Sequence, residues 1–145
     1  MKNILVALDF NPSSQILTDK AAQIAARFNA KVWVVHVAAP DPAFIGYEAG
    51  PQFIREERAT ELKNEHSHLQ SEKARLEALG IQAESLLVQG PTVETLIEEA
   101  EALQIDLFVI GHHQHGFLYR AWLGDTAEDL MRKTEIPLMV VPLPL

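Results

Sequence analysis

The stretch VIGHHQHGFLYRAWLGDTAEDL, residues 109 to 130, opens with a strand-like apolar run and closes with a helical pattern. It gathers the side chains best suited to chemistry. Gly124 stands directly before a helix whose first turn reads Asp125, Thr126, Ala127, Glu128. Such a helix start has four backbone N–H groups without intrahelical partners and the positive end of the helix dipole, and so suits an anion such as phosphate. Glycine also serves plain sterics at a strand-to-helix turn, which keeps a purely structural reading open. His112, His113 and His115 suggest metal coordination. Adjacent histidines on an extended segment face opposite sides, however, and no paired carboxylate or cysteine stands nearby, so no metal set is assigned. Once protonated, these imidazoles would suit phosphate binding or a pH switch. Phe117, Tyr119 and Trp122 read as packing residues against the helix or a second subunit.

Positioning these groups falls to a repeated pattern. Apolar runs rich in β-branched residues at 3–8, 31–37, 83–88, 106–110 and 138–143 read as strands buried on both faces. Between them, Ile16, Leu17, Ala21, Ile24, Ala25 and Phe28 form one helical stripe, and Val93, Leu96, Ile97, Ala100 and Leu103 form another. The segment 52–79 is longer and more polar, stops at Gly80 as at a C-terminal cap, and should be the most exposed helix. Alternating strands and helices predict right-handed crossovers and an α/β fold: an open, five-stranded, mostly parallel sheet flanked by four helices, a Rossmann-like sandwich. Ligands of such sheets bind beyond the carboxyl ends of the strands, where the strand order reverses. Those ends carry Ala7, Leu8 and Asp9; His36 and Val37; Gln89 to Pro91; and Ile110 to Gln114. The stretch 39–52, with three prolines and two glycines, is the one extended loop. Its Phe44, Ile45 and Tyr47 should fold over the ligand edge or a partner.

At 145 residues, the chain is read as one domain spanning 1–145. Its net charge of -8 opposes nucleic acid and anionic membrane surfaces. No apolar run approaches the roughly 20 residues that span a bilayer. The start MKNILVALDF is too short before Asp9 to be a signal peptide, so a cytoplasmic protein is expected. Absence of cysteine removes disulfides, thiolate chemistry and Cys-ligated zinc. There is no G-x-S-x-G elbow and no Walker A lysine motif; no catalytic residue is assigned, and a non-enzyme is expected. The terminal apolar strand, Leu138, Met139, Val140, Val141, Pro142 and Leu143, would invite aggregation as a bare edge and should be paired. Pro142 and Pro144 lack N–H groups and should limit that ladder.

Taken in order, ILVALDFNPSS, AKVWVVHV, QGPTVETLIEEAEALQIDLFVIGHH and LGDTAEDLMRKTEIPLMVVP resemble the universal stress protein family over essentially the whole chain. The resemblance implies an adenine nucleotide alpha hydrolase-like sandwich, a homodimer formed through antiparallel contact at Leu138–Leu143, and a stress-response protein that binds ATP or AMP and signals through protein partners. It places Asp9 against the base or ribose, with Ala7 and Val37 flanking the base. The family's phosphate loop, Gly, two residues, Gly, nine residues, Gly, then Ser or Thr, maps onto Gly111, Gln114, Gly124 and Asp125, followed by Thr126. Spacing is kept and two identities are changed.

Asp125 is the weightier change. A carboxylate about 4 Å from a phosphate oxygen costs on the order of 4 kcal/mol at an effective dielectric of about 20, and it competes for the same amides. Two outcomes stay open. Asp125 caps its own helix as a stand-in for the anion, giving a nucleotide-free interaction module of the same fold. Alternatively a bound Mg²⁺ turns the carboxylate from an opponent into a ligand. Slow, incidental ATP hydrolysis is a third reading.

Overall fold

The computed structural model describes residues 1–38, 52–113 and 126–144. The expectations for Phe44, Ile45 and Tyr47, and those for Gln114, Gly124 and Asp125, fall outside the described residues. Strands β1 (Asn3–Ala7), β2 (Lys31–Ala38), β3 (Ala83–Gln89), β4 (Leu107–His113) and β5 (Leu138–Leu143) alternate with helices α1 (Gln15–Phe28), α2 (Gln52–Ala78), α3 (Thr92–Ala102) and α4 (Thr126–Lys133). The strands form one sheet in the order β3-β2-β1-β4-β5, and all four pairings are parallel. The expected α/β sandwich is the fold observed. Gln52, where the extended loop and the helical segment met in the sequence reading, is the first residue of α2.

Side-chain alternation builds a core on each side of the sheet. Ile4, Val6, Val32, Val34, Val109 and Val141 pack with Leu17 and Ala21 of α1 and with Leu69 and Leu76 of α2. Leu5, Val35, Phe108 and Ile110 pack with Val93 and Leu96 of α3 and with Ala127 and Leu130 of α4. Helix α2 buries only Leu69 and Leu76 along its 27 residues, as its polar sequence foretold. A polar staple ties it to α1: the buried Thr18 hydroxyl lies 2.8 Å from Glu72 Oε2, and the Arg75 guanidinium meets Thr18, Glu72 and Asp19. Helix α2 ends as expected at Gly80, whose φ of 80° lets the Ile81 N–H turn back to the Leu76 carbonyl.

The strand order reverses between β1 and β4, which run side by side from Ile4 beside Leu107 to Ala7 beside Ile110. At the amino edge of this seam, Asp106 Oδ2 accepts the N–H groups of Lys2 and Asn3 at 2.7 and 2.9 Å. At the other edge β4 runs on past Ile110, supported by β5, with Gly111 beside Val141, His112 beside Pro142 and His113 beside Leu143. Gly111 makes this extension possible. A Cβ there would sit 2.5 Å from Leu143 Cδ1, 3.2 Å from Leu143 Cγ and 3.3 Å from Leu17 Cδ1. Both leucines are fully buried and have little room to yield.

The change Gly111→Ala is therefore expected to destabilise the fold by about 1–3 kcal/mol through overpacking. Chemical denaturation checks this, and a variant as stable as the parent would show that Leu143 and Leu17 relax freely.

Candidate functional site

The turn after β1 is built around one carboxylate. Asp9 Oδ1 accepts the Asn11 N–H at 3.1 Å and the hydroxyl of buried Ser14 at 2.8 Å. Asn11 in turn accepts the Ser13 N–H at 3.0 Å and caps the short 3-10 turn Pro12–Ser14 that leads into α1. Between them Phe10 takes a φ of 57°, a left-handed conformation that a side chain other than glycine adopts at a cost of about 1–2 kcal/mol. Its ring repays that strain by packing 4.3 Å from the His36 ring and 5.2 Å from the His68 ring, centroid to centroid. Such strain, held by packing, commonly marks a functional turn.

The second oxygen of Asp9 faces β4. His113 Nε2 donates to Asp9 Oδ2 at 2.8 Å, joining the two strand ends across the point of reversal. The Asp9 side chain remains 55% exposed, so its carboxylate is open to solvent while held on both oxygens. Burial pushes this carboxyl up, but hydrogen bonds from His113, Ser14 and the Asn11 N–H outweigh it and hold the group below the usual carboxylate range. Asp9 is thus an anchored anion that accepts hydrogen bonds.

A second polar contact fixes the neighbouring strand end. His36 Nδ1 lies 2.6 Å from the Leu8 carbonyl, which can only accept, so the proton sits on Nδ1. His36 Nε2 lies 3.5 Å from Glu65 Oε1 on α2. Glu65 Oε2 is buried without a hydrogen-bond partner among the described residues. Through Glu65 and His68, α2 thus meets His36 and Phe10 near the ends of β2 and β1.

Of the residues singled out from sequence, Ala7 and Ile110 are paired neighbours and Val37 stands one strand away. All three belong to the apolar cluster on the α3–α4 side. Leu8 is buried on the opposite side, where Gly111 also meets Leu143 and Leu17. Gly111 therefore has a packing role, in addition to any role in a loop. Thr126 opens α4 and is half-buried. Leu138–Leu143 is the edge strand β5, with Val140 44% exposed. Sequence reasoning missed Phe10, Ser14 and the pairing of His113 with Asp9. The spacing DFNPSS held a signal for Ser14, because an Asx turn followed by Pro-Ser-Ser returns a hydroxyl to the Asp.

Asp9 predicts a sign for acid sensitivity. Its folded pKa is lowered, so its stabilising contribution is complete above the unfolded value of about 3.9 and is lost as pH falls through the lower folded value. In denaturation at a series of pH values, the stability gap between the parent and Asp9→Ala should narrow as pH falls below the unfolded value of about 3.9. A gap that stays constant would remove the anchored-anion description.

Comparison with known proteins agrees with this architecture. A model of the universal stress protein family matches residues 1–142. Universal stress protein A homolog 1 of Coxiella burnetii is 33% identical over 141 residues, 97% of this chain and 95% of that protein. Universal stress protein A of Escherichia coli strain K12 is 28% identical over 143 residues, 98% of this chain and 94% of that protein. Among solved structures, the universal stress protein UspA from Lactobacillus plantarum superposes with a TM-score of 0.79 at 20% identity, covering 97% of each chain. A universal stress protein in complex with cAMP gives 0.74 at 23% identity, covering 97% of this chain and 96% of that one. The Archaeoglobus fulgidus protein in complex with dAMP gives 0.64 at 18%, covering 99% and 98%. The structural likenesses establish the fold, and the match of the family model over residues 1–142 establishes that this chain belongs to the universal stress protein family.

Proposed function

We propose that this chain binds an adenine nucleotide, ATP or AMP, in the cleft at the carboxyl ends of β1 and β4, and acts by binding rather than turnover. The observation that carries this reading is Asp9, an exposed, doubly anchored carboxylate at the point where the strand order reverses. A carboxylate recognises hydrogen-bond donors, and the donors of an adenine nucleotide are its ribose hydroxyls and exocyclic amine. Ala7, Leu8, Val37 and Ile110 would supply backbone groups and apolar surface around the base. The phosphates would extend toward Gly111, Gln114, Gly124, Asp125 and Thr126, with Mg²⁺ relieving repulsion from Asp125. Complexes of family members with cAMP and dAMP support the ligand class. Two copies would meet through edge strand β5, giving a homodimer that works in the cytoplasm through protein partners.

One observation favours the second reading, a nucleotide-free dimeric interaction module. Asp9 already accepts three hydrogen bonds from within the chain and needs no ligand to be satisfied. Each carboxylate oxygen can accept two, so Oδ2 keeps capacity for a further donor.

Calorimetric titration with AMP and ATP, with and without Mg²⁺, separates the two. The nucleotide reading expects binding by the parent and a loss of about tenfold or more in Asp9→Ala, the equivalent of about 1.4 kcal/mol. It expects Asp125→Ser to tighten ATP more than AMP in the absence of metal, and Mg²⁺ to narrow that difference. No binding of any nucleotide by the parent would hand the site to the interaction-module reading.

A further inference from the structure

We infer that His113 is a positioning residue of this site, one that fixes the plane of the Asp9 carboxylate and so sets the affinity for the nucleoside half of the ligand. The inference rests on the nucleotide reading above and assigns the residue that makes Asp9 effective. The last side-chain torsion of an aspartate is broad, so an exposed carboxylate normally samples many orientations. Here Oδ1 is held by the Asn11 N–H and the Ser14 hydroxyl, both from the turn that Asp9 itself begins. Held on that oxygen alone, the group can still swing about it. The Nε2 donor of His113 on Oδ2, 2.8 Å away, closes the clamp.

The donor also comes from a rigid support. His113 is the last residue of β4, its backbone paired beside Leu143 in a ladder that Gly111 permits by admitting the Leu143 side chain beneath it. Leu143 is 1% exposed, and the His113 side chain is only 20% exposed, so neither has much room to wander. Along β4, Val109 and Gly111 meet the α1–α2 side of the sheet, and His113 follows the same alternation. His112 takes the other side, which is why only one member of the pair reaches Asp9. A group fixed before the ligand arrives loses less freedom on binding, and preorganisation of this kind appears directly as affinity.

The role predicts a pattern that a merely structural histidine would not give. Affinities for adenosine and AMP are read from ligand NMR signals, which follow binding into the millimolar range, with thermal stability recorded for each variant. His113→Ala should weaken adenosine and AMP by the same factor, about tenfold. His113→Gln, whose amide nitrogen can stand near the position of Nε2, should recover to within about threefold of the parent. In an Asp9→Ala background, His113→Ala should change nothing further, because it acts only through Asp9. Three results would overturn the assignment while leaving nucleotide binding intact: unchanged affinity in His113→Ala, tighter binding in His113→Ala, or an equal loss in the Asp9→Ala background. A parent protein that binds neither adenosine nor AMP would remove the nucleotide reading, and this assignment with it.

Discussion

The seam between β1 and β4 is the constraint from which the site follows. In a parallel sheet, chain connections leave each strand toward one face or the other. Where the strand order reverses, neighbouring connections part and leave a gap. In this chain the strand order reverses where Ala7 pairs beside Ile110, and two carboxylates pin that seam. Asp106 gathers the Lys2 and Asn3 N–H groups at the amino edge, and those bonds hold its carboxyl below the usual range. Asp9 takes the carboxyl edge, tied to its own turn and to His113. Both carboxylates are exposed; the amino-edge one is held by backbone N–H groups, the carboxyl-edge one by its own turn and a histidine of the neighbouring strand.

The same arrangement separates the chemistry of the two ends of the cleft. A carboxylate kept ionised suits hydroxyl and amine donors and repels phosphate, which is why the proposed reading sets Asp9 at the nucleoside end of a nucleotide. Phosphate needs backbone amides or a helix start. The acidic balance of the chain, 20 acidic residues against 12 basic, supplies no excess of cations to offset a triphosphate. That imbalance makes oriented hydrogen-bond donors count for more toward any anion.

Much of the fold was legible because parallel strands buried on both faces leave continuous apolar runs, and NILVAL, KVWVVHV and DLFVI are of this kind. Strand β4 was read as ending at Ile110, since Gly111, His112 and His113 break the apolar run. Its true extension depends on pairing with β5, a partner about thirty residues away. Asp9 was legible from its position at a strand end. Its partner was not, because alternation says that His112 and His113 face opposite sides, while the register of β1 against β4 decides which of them meets Asp9. Phe10 escaped notice for a related reason: a left-handed turn is expected at glycine, and here the packing of its ring on His36 and His68 overrides that preference.

The central claim, that the β1–β4 cleft is where an adenine nucleotide binds, is tested most directly by following backbone amide chemical shifts as AMP is added to the isotope-labelled protein. The account predicts saturable shifts at Asp9, Phe10, Asn11, Val37 and Gly111–His113, with the amino edge around Asn3 and Asp106 unmoved. Shifts confined to other surfaces, or none at millimolar AMP, would contradict it.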